Sequence, residues 1–225
     1  MKIHLKQSLT ALSIAAMGLT AFGLTEEAVA EYWPVAEGRA AKIVDGLAIE
    51  DPTAREQVKL AVAGQYRDLF IIHESRDEAL KQIGSYDHGF QVFTENARAG
   101  IEKGSKEAIE KLHREYIARL SALVDAETVN AIKDGMTYGV APKTYKVYLA
   151  MLPELTAEQR AQIQAWLLEA REYAMDGGSS DEKHKWFGKY KGRINNYLSS
   201  LGYDMKAAEK AMFDRIKAEK QKEND

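Results

Sequence analysis

Ser179-Ser180-Asp181-Glu182-Lys183-His184-Lys185-Trp186-Phe187-Gly188-Lys189-Tyr190-Lys191-Gly192-Arg193-Ile194-Asn195-Asn196-Tyr197-Leu198 is the stretch on which the reading of this chain turns. The Ser179 hydroxyl is placed to accept from the amide three residues on while Glu182 reaches back, the arrangement that starts helices. Gly177 and Gly178 break whatever precedes it. Phe187, Ile194, Leu198 and Leu201 recur at helical spacing, and Gly202 stands where a left-handed C-terminal residue is wanted. The spacing predicts a helix of about six turns.

The other faces of that helix carry the chemistry. His184, Gly188, Lys191 and Asn195 line one side; Lys189, Arg193 and Asn196 line another; Trp186, Tyr190, Arg193 and Tyr197 form a third row. Glycine inside a helix costs about 1 kcal/mol relative to alanine, so Gly188 and Gly192 point to a neighbouring helix or a ligand close to the backbone. Two readings follow: close helix packing ringed by solvated cations, or a polar binding cleft.

Working outward to the N-terminus, Lys2 and Lys6 precede an apolar run from Leu9 to Leu24, and Ala28-Val29-Ala30 places small residues where a signal peptidase reads. Residues 1–30 are therefore expected to be a cleaved secretory signal, with the mature protein periplasmic or secreted. No cysteine follows to carry a lipid, and no later segment is apolar over the roughly 18 residues of a membrane span. The formal net charge is -3 with both signs mixed, which argues against a nucleic-acid partner. There are no cysteines, so no disulfides. The remainder has to be held by its core and is long enough for one domain.

Within it, Trp33-Pro34 is expected to open a first helix, with proline where its missing amide does no harm, and Val35, Ala40, Ile43, Val44 and Leu47 on its apolar side. Asp51-Pro52 reads as an N-cap and first helical residue. Val58, Val62, Tyr66, Leu69, Phe70 and His73 follow as a stripe that can continue to Ile83, so the first two helices form an antiparallel pair. Residues 84–89 read as a loop. Asp87-His88 lacks the companions that a metal site needs. Ser105 is expected to cap a helix bearing Ile109, Leu112, His113, Tyr116, Ile117, Leu120 and Leu123. His73 and His113 both lie on apolar stripes, where a histidine is more often a hydrogen-bonded core residue than a catalyst. Asp125 starts a short helix, and Pro142 opens one with Tyr145, Tyr148, Leu149 and Leu152. Thr156 to Gln159 is a capping box for a helix with Ile163, Trp166, Leu167, Ala170 and Tyr173 inward. Asp204 caps the last helix, with Ala208, Ala211, Met212 and Ile216, and a charged, frayed tail covers 217–225. No useful run alternates polar and apolar residues. The expectation is an all-α, single-domain antiparallel bundle of seven or eight helices over 31–216, without a sheet.

Asp134-Gly135-Met136-Thr137-Tyr138-Gly139, Met151-Leu152-Pro153, Ala170-Arg171-Glu172-Tyr173-Ala174-Met175-Asp176, Glu182-Lys183-His184 and Phe187 to Leu198 together resemble the domain-of-unknown-function family 3826. The stretches around His73 and His113 also look like the family pattern. The resemblance covers essentially the whole chain after residue 30. It implies an all-helical exported domain of polysaccharide-degrading bacteria, described as sugar-binding, and carries no assigned active site.

Three functions remain open. Carbohydrate binding would use Trp186, Tyr190, Tyr197 and Tyr138 as ring faces and Lys189, Lys191, Arg193, Asn195 and Asn196 as donors, with arginine suited to a uronate carboxylate. An enzyme acting on uronic-acid glycans by β-elimination would need Arg193 with Lys191 or Lys189 to neutralise the carboxylate and His184 or Tyr138 as base. Hydrolysis would instead need a carboxylate pair, for which Asp134, Asp176 and Glu182 are available. The third is a structural or interaction module without a ligand. No motif calls for a cofactor or a metal. His184, Arg193, Asn196, Tyr138 and one of His73 or His113 around one pocket would favour catalysis; rings flat and exposed along a surface would favour binding.

Overall fold

The computed structural model describes residues 24–85 and 91–222, which form eight α-helices and, among the described residues, no strand. The helices fall into two compact units, one up to Val124 and the other from Asp125. The apolar run of the expected signal and the Gly84–Gly89 interruption lie outside the described residues, apart from Leu24, Gly84 and Ser85.

The first unit contains α1 (Glu26–Val44), α2 (Pro52–Ser85) and α3 (Gln91–Ser121). Helix α1 packs on α2, and α2 on α3. Ala36, Ala40 and Val44 of α1 and Val58, Ala61, Val62, Tyr66 and Leu69 of α2 are buried. Small residues on α1 let the backbones approach. Above them Tyr32 stacks on Phe70 with ring centroids 4.1 Å apart, and Arg39 lies over the rings of Tyr32 and Tyr66. The Asp51 carboxylate accepts the Thr53 amide ahead of Pro52, the expected cap.

Two boundaries differ from the sequence expectation. Helix α1 begins at Glu26, capped by the Thr25 hydroxyl, so Pro34 lies inside it rather than opening it. Helix α3 begins at Gln91 and runs through Ser105 without a break. The reason is packing: Thr94, Ile101, Ser105, Ile109, Leu112, Tyr116 and Leu120 all lie on the buried or half-buried side, and that continuous stripe outweighs a capping signal.

The second unit contains α4 (Ala126–Met136), α5 (Val140–Met151), α6 (Ala157–Met175), α7 (Ser180–Ser200) and α8 (Met205–Lys222). The four starts expected to carry a capping side chain have it, and the helix expected to open at Pro142 starts at Val140 without one. Asp125 accepts from Thr128, Thr156 and Gln159 close a reciprocal box, Ser179 accepts from Glu182, and Asp204 accepts from Lys206 and Ala207. At Ser179 the box is displaced by one residue, because Glu182 takes the amide of Gly178. Pro142 falls at the third position of α5, still within the first turn, and the tail continues α8 as helix to residue 222, exposed over 217–221. Helices α6 and α7 form a hairpin around Ile163, Leu167, Ala170, Ala174, Phe187, Tyr190, Ile194 and Leu198, and Ala141, Tyr148, Leu152 and Leu155 complete that core. Tyr173, expected inward, is about half exposed on the flank of this hairpin.

Candidate functional site

Three of the quoted motifs meet where α4 ends. The C-terminal end of a helix gathers unpaired carbonyls and partial negative charge, which attract cations. Arg171, on the apolar row of α6 and only 4% exposed, donates to the Asp134 carboxylate at 2.8 Å and to the side-chain oxygen of Asn130 at 2.6 Å. Lys133 pairs with Glu172 at 2.7 Å. Lys183, 5% exposed on the inner stripe of α7, sends its ammonium to the carbonyl of Met136 at 3.0 Å. Its stem fills the space beside Gly177, where an added Cβ would meet Lys183 Cγ at 3.1 Å.

This knot fixes the turn into α5. Gly139 donates to the Asp134 carbonyl at 2.7 Å, and the Thr137 hydroxyl donates to the Lys133 carbonyl. Tyr138 and Gly139 are both left-handed, with φ of 59° and 64°. Glycine adopts that backbone freely, whereas for tyrosine it is strained. Lys143 secures it by donating to the Tyr138 carbonyl at 2.9 Å. The Tyr138 ring, 51% exposed, is left stacked on the exposed ring of His184 with centroids 5.7 Å apart.

Around α7 the polar side chains diverge. On the flank that meets α6, Trp186 stacks on Tyr173 at 4.6 Å, and the Lys189 ammonium lies 5.0 Å from the centre of the Trp186 ring. Arg193 lies 4.6 Å over Trp166 and 6.0 Å from the Tyr190 ring centre, and it pairs with Glu169 at 3.7 Å. Tyr197 meets Trp166 edge-on. Burial, and then the neighbouring Glu169 carboxylate, push the Tyr190 phenol up to about 12. On the opposite flank the buried Tyr148 hydroxyl of α5 donates to the Asn195 side chain at 2.7 Å, and burial pushes this phenol up to about 12 as well.

Of the expected site residues, His184 and Tyr138 come together, as do Trp186, Tyr190, Tyr197, Lys189 and Arg193. Lys191, Asn195 and Asn196 are exposed elsewhere around the helix. Asp134 is engaged by Arg171, Glu182 caps α7, and Asp176 closes α6. His73 is buried and His113 half-buried, both in the first unit. Asp87-His88 lies outside the described residues, among which no three histidine or carboxylate groups gather to hold a metal ion. Gly188 and Gly192 face open space, with nothing within 4 Å of an added Cβ, so helix packing does not explain them.

Sequence reasoning passed over Arg171, Lys183, Lys143, Glu169 and the ring of Tyr173. A signal existed for the first two, each a cation on an otherwise apolar stripe, a position that needs an internal acceptor. None of the curated proteins matches this sequence. Residues 34–218 match the family model described as Protein of unknown function (DUF3826), and the chain, matched over most of its length, belongs to that family.

Proposed function

We propose that this is an exported carbohydrate-binding protein, that its ligand is an acidic oligosaccharide, and that the α6–α7 flank receives it. One observation carries the reading. Trp166, Tyr173, Trp186 and Tyr197 lie along one side of the hairpin above the buried Tyr190, with the ammonium of Lys189 over the Trp186 ring and the guanidinium of Arg193 over that of Trp166. A pyranose offers C–H groups on its faces and hydroxyls round its edge, so flat ring faces bordered by donors suit it. Stacked on Trp166, the Arg193 guanidinium turns toward the Glu169 carboxylate at 3.7 Å, a loose, half-exposed pair that a ligand carboxylate bound in bidentate fashion would replace. Export rests on the segment up to Ala30, and no described helix is long and apolar enough to cross a membrane.

Catalysis by β-elimination is less well supported. His184 and Arg193 are nine residues apart on one helix, half a turn out of phase and about 13 Å apart along its axis, so that base and that neutraliser do not face one bond, and Lys191, on the His184 side, stands two turns, about 10 Å, further along.

Calorimetric titration with oligogalacturonates and with neutral oligomers tests the reading. The expected outcome is preference for the acidic chain, reduced at least about tenfold, or 1.4 kcal/mol, in Arg193→Ala, whose melting temperature stays within a few degrees because the side chain is half exposed. Absence of binding across the acidic panel, or unfolding of the variant, rejects it.

A further inference from the structure

The strip proposed for an acidic chain carries a carboxylate at its middle. Trp166, Glu169 and Tyr173 recur at three and four along α6 and face Trp186, Arg193 and Tyr197 of α7. The Tyr173–Trp186 pair stands at one end of the strip and the Trp166–Tyr197 pair at the other, with Glu169 between them. Left in place, Glu169 repels a carboxylate approaching Arg193. Its hold there is weak: the pair is 3.7 Å long with both side chains about half exposed, and an exposed pair of that kind shifts an equilibrium by at most about fivefold. Glu169 has a second partner, because the phenol of the buried Tyr190 hydrogen-bonds the same carboxylate. The other cation of the strip is held differently. Lys189 stands one turn before Arg193, about 6 Å back along the axis. It is exposed, its ammonium lies 5.0 Å from the centre of the Trp186 ring, and among the described residues no carboxylate pairs with it.

We propose that the flank takes two neighbouring carboxylates at once, the first on Lys189 and the second on Arg193, and that Glu169 is the internal competitor which the second must displace. The first carboxylate finds an ammonium with no acid to give up. The second is then tethered beside Arg193 at a high effective concentration, which outweighs the loose pair, and it takes both prongs of the guanidinium. Glu169 is not stranded when it lets go, since the Tyr190 hydroxyl still donates to it. A chain with a single carboxylate settles on Lys189 and leaves the Glu169–Arg193 pair closed. The ligand class narrows accordingly, from any acidic sugar to a run of contiguous uronates. This inference rests on the reading of the α6–α7 flank as the binding site.

The test is calorimetric titration of the whole chain with trigalacturonate and with the same trimer carrying one free carboxylate and two methyl esters. The parent is expected to prefer the triacid by at least about tenfold, or 1.4 kcal/mol. Glu169→Gln and Glu169→Ala are expected to melt within a few degrees of the parent and to bind the triacid about twofold to fivefold more tightly, the hold of the lost pair. The single-carboxylate trimer is expected to gain less. Lys189→Gln is expected to cut the preference for the triacid below about threefold, because the tether is gone. Unchanged or weaker triacid binding in both Glu169 variants overturns the competitor, weaker binding making Glu169 a contact to sugar hydroxyls. Loss of folding in both makes it structural and overturns the competitor too. Equal affinity of the parent for the two trimers, or an unaltered preference in Lys189→Gln, overturns the paired contact. All of these leave the flank as the binding site. Absence of trigalacturonate binding by the parent overturns the flank reading and this inference with it.

Discussion

At the scale of single residues, the second unit places polar groups where apolar ones would pack more cheaply, and each has a partner. Arg171 and Lys183 are tolerated inside because the carboxylate, amide and carbonyl at the end of α4 accept from their charged ends, although the buried Nε of Arg171 has no acceptor. Tyr148 and Tyr190 follow the same rule with neutral groups, and their phenols are pushed up to about 12. The sign of the consequence is fixed. Up to pH 10 both states keep these protons and the stability is intact. Above pH 10 the unfolded chain releases two protons that the folded chain retains up to about 12, so stability falls through that window. The steepest loss is about 1.4 kcal/mol per pH unit for each phenol. Urea midpoints measured from pH 9 to pH 12 should therefore fall less steeply in Tyr148→Phe and in Tyr190→Phe than in the parent. Equal slopes would mean that these two phenols titrate as they do in water.

At the scale of elements, the helix starts of the second unit were legible because a cap is a local event: a Ser, Thr or Asp oxygen and an amide two or three residues on decide it. The extent of α3 was not legible, because Ser105 carries both a capping hydroxyl and a position on the packed stripe, and only the partner helix decides between them. The rows of α7 were also read from spacing, yet what lies opposite them, Tyr173 and Glu169 on α6 or Tyr138 on the turn, depends on how helices are set against each other. Helix α1 adds a test of the export proposal. Pro34 has no amide to give the Ala30 carbonyl, so the turns on either side of it are less well joined than in an uninterrupted helix. Cleavage after Ala30 would remove that acceptor residue and leave Pro34 in the first turn, where its missing amide does no harm. The protein recovered from the periplasm or medium of its producing cells is accordingly expected to begin at Glu31, as read by N-terminal mass spectrometry. An intact Met1 or a cut downstream of Pro34 would reject this.

At the scale of the whole molecule, the chain between Val124 and Asp125 has no run of Pro, Gly or Ser to mark a linker, and its helices nevertheless gather into two compact units there. Which helices share a core is a property of long-range packing, to which a local pattern of residues is blind. The second unit has what autonomy requires. Its twelve-residue core cluster is drawn wholly from Ala141 to Leu198, four of its five helices start on side-chain caps, and its buried cations are answered by residues from the same unit. The proposed sugar contact on the α6–α7 flank also lies within it. Residues 125–222 expressed alone are therefore expected to be helical, to melt in one cooperative transition and to bind oligogalacturonate as the full chain does, since domains with their own core and satisfied polar groups fold independently. Circular dichroism with calorimetry decides. A helical fragment that melts without cooperativity would show that the core around Phe187 and Ile194 depends on helices before Asp125, and a cooperative fragment without ligand affinity would place the sugar contact in the first unit.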